Sequence, residues 1–243
     1  MINRDEKIIE LKGICFAYQG EIALRYVTFD VFRGETVILQ GPNGCGKSTL
    51  IRLLNGIIYP EQGTYRFEGD EISEKTLKNS IFSKKFHQKI GYVFQNPDVQ
   101  LFCASLEEEI AFGPRQMGLD EDEVRRRTDD VIRLTGLDHL RERAPYHLSG
   151  GEKKKAALAC VLSMNPEVLI LDEPLAGLDR RTQTWLTDFL LQLKAAGKTM
   201  VIATHDEELA KTLGDRYIIF DDDHRATEQK SGRIPGGTES RSK

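Results

Sequence analysis

The chain has 243 residues, 40% apolar and 30% charged, with a formal net charge of −4. That length supports a sizeable core without disulfide or metal staples and sets a prior of one to two domains. The longest unbroken apolar run, residues 156–162, is far short of the ~20 that cross a bilayer. The start, MINRDEKIIE, lacks the apolar stretch of a secretory signal, and the acidic balance lacks the basic surplus of a nucleic-acid binder. Cys15, Cys45, Cys103 and Cys160 form no CxxC pair, so they read as free thiols of a reducing compartment.

Residues 8–40 read as short β segments, apolar at Ile9, Leu11, Ile14, Phe16 and Tyr18, with turn signals at Gln19-Gly20 and Arg33-Gly34. A helix is predicted over 47–55, ended by Gly56, and a strand over 63–69. Residues 70–88 are polar and lysine-rich and read as a surface excursion. A strand follows over 90–94, then a short helix over 106–112 with glutamates in its first turn, favourable at a helix N-terminus. Residues 120–135 space Val124, Val131, Ile132 and Leu134 as a helix does, stopping at Gly136. A further helix covers 152–164, halted by Asn165-Pro166. The aliphatic run 168–171 suits a strand buried on both faces. Then come a helix over 179–196, a strand over 199–203, a helix over 206–213 and a strand over 217–220. This alternation predicts a parallel α/β sheet. From Asp221 the chain turns polar and rich in Gly and Ser, which predicts a disordered tail over 221–243, with the acidic triplet and His224 in a solvated turn.

Gly41, Pro42, Asn43, Gly44, Cys45, Gly46, Lys47 and Ser48 satisfy G-x-x-x-x-G-K-[ST] between a predicted strand and a predicted helix. Glycines let backbone N–H groups curl around phosphate oxygens, and the helix N-terminus favours the anion. Lys47 is expected to reach the β- and γ-phosphates, Ser48 to ligate Mg²⁺ and Thr49 to donate to another phosphate. Cys45 contributes its backbone. Residues 168–173 form an aliphatic strand ending in two acids. Asp172 is expected to hold Mg²⁺ and Glu173 to orient a water, on opposite sides because strand side chains alternate.

Leu148-Ser149-Gly150-Gly151-Glu152 supplies a second candidate phosphate-binding helix start. With these motifs in order, followed by Ala176-Gly177-Leu178-Asp179 and His205, the sequence resembles the ATP-binding subunit of ABC transporters over about residues 8–220. The resemblance implies a P-loop α/β ATPase domain over 1–220. It would carry an N-terminal antiparallel β subdomain and an inserted helical signature subdomain over about 96–160. It implies ATP and Mg²⁺ as ligands and a head-to-tail dimer, each ATP lying between one phosphate loop and the other subunit's signature. Ser149, Gly150 and Gly151 would then meet the partner's γ-phosphate, and Asp179 would lie at the interface. Gln95 would touch Mg²⁺ or the water, His205 would assist Glu173, and Tyr18 would stack on adenine. Two positions depart from the common pattern: Glu152 where many members have glutamine, and Leu175 where Thr or Ser is frequent. Lys153, Lys154 and Lys155 read as a solvated helix face.

Residues 94–98, 100–102 and 106–114 look like the energy-coupling-factor and cobalt/nickel importer branch. There Val99, Leu101, Phe102, Leu106 and Phe112 would offer apolar surface to a transmembrane partner. The expectation is an importer ATPase on the cytoplasmic face of the membrane, pairing with itself or a second ATP-binding subunit and driving uptake of cobalt, nickel or a vitamin. The alternative is the ATPase of another ABC system. Coiled-coil repair ATPases are disfavoured, because only about 100 residues, with no sustained heptads, separate phosphate loop and signature. Double-cassette translation factors are disfavoured by the single set of motifs.

Overall fold

The computed structural model describes residues 6–230. In chain order the elements are β1 (Lys7–Tyr18), β2 (Glu21–Phe32), β3 (Thr36–Gln40), α1 (Lys47–Leu54), β4 (Gln62–Phe67), β5 (Asp70–Glu71), α2 (Glu74–Leu77), α3 (Ser80–Lys89), β6 (Ile90–Val93), α4 (Leu106–Met117) and α5 (Glu121–Thr135). Then follow α6 (Gly150–Ser163), β7 (Val168–Asp172), α7 (Arg180–Ala195), β8 (Thr199–Ala203), α8 (Glu207–Leu213), β9 (Arg216–Phe220) and β10 (Ala226–Lys230).

Two sheets result. An antiparallel sheet runs β2-β1-β4-β5, and a six-stranded sheet runs β10-β9-β3-β8-β7-β6. In the second, every pairing from β9 to β6 is parallel and only β10 runs antiparallel. Every residue of β7 and β8 is buried, which is why their sequences are aliphatic without alternation. The register sets the ends of four strands level: Leu39 faces Ala203, Asp172 faces Ala203, and Val93 faces Leu171. The loops after β3, β6, β7 and β8 therefore leave from one edge of the sheet, where ligands of parallel α/β sheets bind.

Helices 4 to 6 close a separate apolar cluster built on Leu106, Ile110, Ile132, Leu137, Leu148, Ala156 and Ala159. Helix α6 serves two cores, because Ala157, Leu158 and Val161 pack instead with β7 and β8. Its pattern of small residues lets it pass between the two.

Several expectations change. Residues 70–88 are not a mere excursion: they form β5, α2 and most of α3, and Phe86 is buried in the main core. The lysines of α3 hide this, since a single buried face suffices to hold a helix. Helix α4 runs past 112 and contains Pro114. A proline frees the carbonyl four residues back, and here Ile110 O accepts from the Ser163 hydroxyl at 3.0 Å instead. Strand β7 ends at Asp172, so Glu173 is not a strand residue. The tail does not begin at 221: residues 226–230 form β10, paired with β9. An edge strand needs few apolar residues, so ATEQK gave no signal. The rest of that tail, 231–243, lies outside the described residues.

Candidate active site

Phosphate loop 41–46 joins β3 to α1. Gly46 caps α1 with φ 110°, and a Cβ there would sit 2.2 Å from Ala23 O, so no other residue fits. No side chain caps this helix, which leaves its first N–H groups available to an anion. Lys47 is buried and folds back over the loop, donating to Gly41 O at 2.7 Å and Pro42 O at 2.9 Å. The buried Cys45 packs inside the loop, its Sγ 3.7 Å from the Lys47 ammonium.

The level strand ends bring the other residues to the same place. Asn43, Gly44, Gly46, Lys47, Ser48, Thr49, Gln95, Asp172, Glu173 and His205 all line one cavity of about 360 Å³. Ser48 Oγ donates to Asp172 Oδ2 at 3.3 Å. Burial pushes the Asp172 carboxyl up, opposed by the Ser48 hydroxyl and by Lys154 and Lys47. A hydroxyl, a carboxylate and the Gln95 amide are hard oxygen donors. They fit a Mg²⁺ that takes its other ligands from nucleotide phosphates and water. Among the described residues no group of three or more His, Cys, Asp or Glu side chains is placed to hold a metal ion.

Glu173 adopts φ 44°, a left-handed conformation that costs energy for a non-glycine residue. Its N–H still bonds Ala203 O at 2.9 Å, so the strain lies at the point where the chain leaves the sheet. This turn, rather than strand alternation, separates the two acids. Glu173 Oε2 accepts from the His205 backbone N–H at 3.3 Å. His205 Nε2 lies 3.3 Å from Oε1 but off the line of a hydrogen bond, and Oε1 is buried without a donor. Glu173 as a residue lines the cavity beside Asp172 and His205, where a carboxylate is suited to accept a proton from a water.

A second, open pocket of about 710 Å³ shares Gly44 and Thr49 with the first and is lined by Tyr18, Gly20, Ile22 and Arg25. Tyr18 is 39% exposed, packs edge-on against Phe16 and accepts a hydrogen bond from Arg52 at 3.3 Å. Asp222, Asp223 and His224 also line this pocket, which the sequence does not signal, because nothing local links the β9–β10 turn to β2. The tie is a backbone bond, Arg25 N–H to His224 O, at 2.9 Å.

The signature lies elsewhere. Ser149 caps α6, and Glu152 Oε2 accepts from the Ser149 N–H and hydroxyl, both at 2.8 Å. Ser149, Gly150 and Gly151 line neither pocket. Gly151 packs on the first turn of α7, where a Cβ would meet Thr182 Oγ1 at 2.7 Å. That hydroxyl bonds Asp179 Oδ2 at 2.7 Å, so signature and Asp179 form one unit.

The three lysines after the signature are not a solvated face. Lys153 pairs with Asp98 at 2.6 Å, and Lys155 sits 4.2 Å over the Trp185 ring. Lys154 is buried, and burial lowers its pKa to about 8 while Asp172 opposes. Of the apolar residues near Gln95, Leu106 is buried and Leu101 packs on the cores, whereas Val99, Phe102 and Phe112 are exposed. Buried Glu109 holds this segment, accepting from the Phe102 and Cys103 N–H groups at 2.7 and 2.6 Å.

The ABC transporter family model matches residues 24–176. A nickel import ATP-binding protein of Lactiplantibacillus plantarum is 46% identical over 218 residues, 90% of each chain. An energy-coupling factor transporter ATP-binding protein of Methanothermobacter thermautotrophicus is 42% identical over 214 residues, 88% of this chain and 68% of the relative. The solved structure of cbiO1 from Clostridium perfringens, part of the ABC transporter complex cbiONQ, superposes with a TM-score of 0.81 at 36% identity, covering 93% of this chain and 89% of that one. The motif cavity, the sequence relatives and the fold agree: this chain belongs to the ATP-binding proteins of ABC transporters, an ATPase whose hydrolysis is coupled to transport.

Proposed function

We propose that this chain is the ATPase subunit of an importer of the energy-coupling-factor and cobalt/nickel branch, driving uptake of a small solute, a cobalt or nickel ion or a vitamin, through a separate transmembrane partner. One observation carries the mechanism. Glu173, His205, Gln95, Asp172 and the phosphate loop share one cavity, and that cavity contains no signature residue. A second ATP-binding subunit, identical or not, would supply the missing Ser149, Gly150 and Gly151.

In this reading Tyr18 holds the adenine, and Lys47, Thr49 and the loop amides hold the phosphates. Ser48, Asp172 and Gln95 would hold Mg²⁺, and the chemistry it would supply when bound is neutralisation of phosphate charge. Glu173 takes a proton from the attacking water, and His205 steadies the carboxylate. The signature glycines approach from the partner subunit and exclude bulk water. Exposed Val99, Phe102 and Phe112, next to Gln95 in the chain, would carry closure to the membrane partner and hold the subunit at the cytoplasmic face. Similarity to a nickel import ATP-binding protein and an energy-coupling factor transporter ATP-binding protein supports this branch.

The test is co-purification with membrane partners and reconstitution in proteoliposomes, with uptake assayed for Co²⁺, Ni²⁺ and vitamins. ATP-dependent uptake of one of these supports the proposal. Efflux, or ATP hydrolysis that responds to none of them, overturns the branch while leaving the ATPase in place.

A further inference from the structure

We propose that Lys154 is a positioning residue that fastens the Gln95 loop to the signature helix, so that the two halves of the nucleotide site move as one. Lys154 is 3% exposed on α6, one turn beyond the signature glycines. Its ammonium donates to Phe94 O at 3.0 Å and Gln95 O at 3.2 Å, the two residues that follow β6. It makes no ion pair with a carboxylate among the described residues. A buried ammonium whose hydrogen bonds go only to neutral carbonyls, with the Asp172 charge near but not paired, is a poor way to gain stability, since an apolar side chain of that length would avoid the desolvation cost. What the ammonium provides is a directed grip on two adjacent carbonyls.

Two neighbours tighten the grip. Lys153 pairs with Asp98 at 2.6 Å. Gln100 Nε2 donates to Ala157 O at 2.8 Å, while its Oε1 accepts from Phe94 N–H at 3.4 Å. Three consecutive contacts thus bind residues 94–100 along α6. Gln95 lines the cavity of its own chain, whereas the N-terminus of α6 presents the signature. Displacing one end must displace the other.

This inference rests on the sandwich reading above, and the experiment separates the two. In the Glu173→Gln background, MgATP affinity of the monomer is measured by calorimetry and ATP-driven dimerisation by size exclusion. Lys154→Met, Lys154→Gln and Lys154→Arg are compared with the parent. The expectation is unchanged monomer affinity, about tenfold more ATP needed for half-dimerisation in Lys154→Met and Lys154→Gln, and recovery in Lys154→Arg. Parental dimerisation of the Met and Gln variants overturns the role of Lys154. So does a parallel loss of monomer affinity, failure of the Arg variant to rescue, or failure of both neutral variants to fold, which would make Lys154 a purely structural residue. A parent that never dimerises with ATP overturns the sandwich reading itself.

Discussion

The phosphate-loop end and the signature end of this molecule are built in opposite ways. At the first, four level strand ends converge on one cavity and leave chemistry unfinished: a strained Glu173 with a buried, unpartnered oxygen and an α1 with no side-chain cap. At the second, Ser149 and Glu152 satisfy each other in a closed capping box, and Gly150 has open space around it. One end is shaped by its own chain for a ligand. The other is complete as a helix start and acquires a chemical task only when something approaches from outside.

The sharpest way to break this contrast is Glu173→Gln. The amide cannot accept the water's proton, so hydrolysis should fall about 10²- to 10⁴-fold. ATP binding should persist, because Lys47, Ser48 and Asp172 are untouched. Steady-state phosphate release and ATP calorimetry check both halves; wild-type turnover in this variant would remove Glu173 from the chemistry. Next in size is a pair of neighbouring glycines. Gly150→Ala meets nothing in its own chain and should raise thermal stability by up to about 1 kcal/mol, as alanine replaces glycine in a helix. It should still lower ATPase activity about tenfold or more if a partner's phosphate lies against it. Gly151→Ala instead collides with Thr182 Oγ1 and should cost about 1–3 kcal/mol in thermal unfolding. Full activity in a stable Gly150→Ala variant would mean that the signature meets no phosphate.

The same contrast explains what the sequence could convey. The places of the phosphate loop, Asp172, Glu173 and His205 were legible because each lies at or just beyond the end of a strand of a parallel sheet, and parallel strands of equal register bring those ends to one edge. The strand lengths of β7 and β8 were legible because burial on both faces suppresses polar residues. Three things were not. β10 is a polar edge strand whose pairing is set by β9 and not by its own pattern. Phe86 anchors α3 from among lysines. Lys154 looks like its neighbours Lys153 and Lys155, and only the packing of α6 against the end of β6 distinguishes the buried one. Leu106 and Phe112 read alike as docking residues, but the register of α4 turns Leu106 into the helical core and Phe112 outward.

That last distinction gives a third test, of intermediate size. Phe102 and Phe112 are exposed, with ring centroids 5.1 Å apart, edge to face. Replacing both with serine should leave ATP affinity and melting temperature unchanged. Retention of the membrane partner should weaken by about tenfold or more, the scale of an interface anchor. Pull-down from detergent extracts measures it, and undiminished retention would move the docking surface elsewhere.

The smallest effect probes the finished end directly. Glu152 holds its charge because the Ser149 N–H and hydroxyl both donate to it, which keeps its carboxyl below the ordinary value of 4.5. A carboxyl depressed in the folded state stabilises above its unfolded pKa, and that contribution disappears as pH falls through the lower, folded value. Glu152→Gln keeps an acceptor for Ser149 but lacks this acid limb, so its melting temperature should depend less on pH below about 4.5 than that of the parent. The substitution also removes a negative charge from the helix start that a partner's phosphate is expected to meet. ATP-driven dimerisation in the Glu173→Gln background should therefore tighten about two- to fivefold, the scale of one charge at a helix terminus. A weaker dimer would show instead that the carboxylate's hold on Ser149 matters more than its repulsion of phosphate, and the signature would then be poised by its own cap rather than opposed by it.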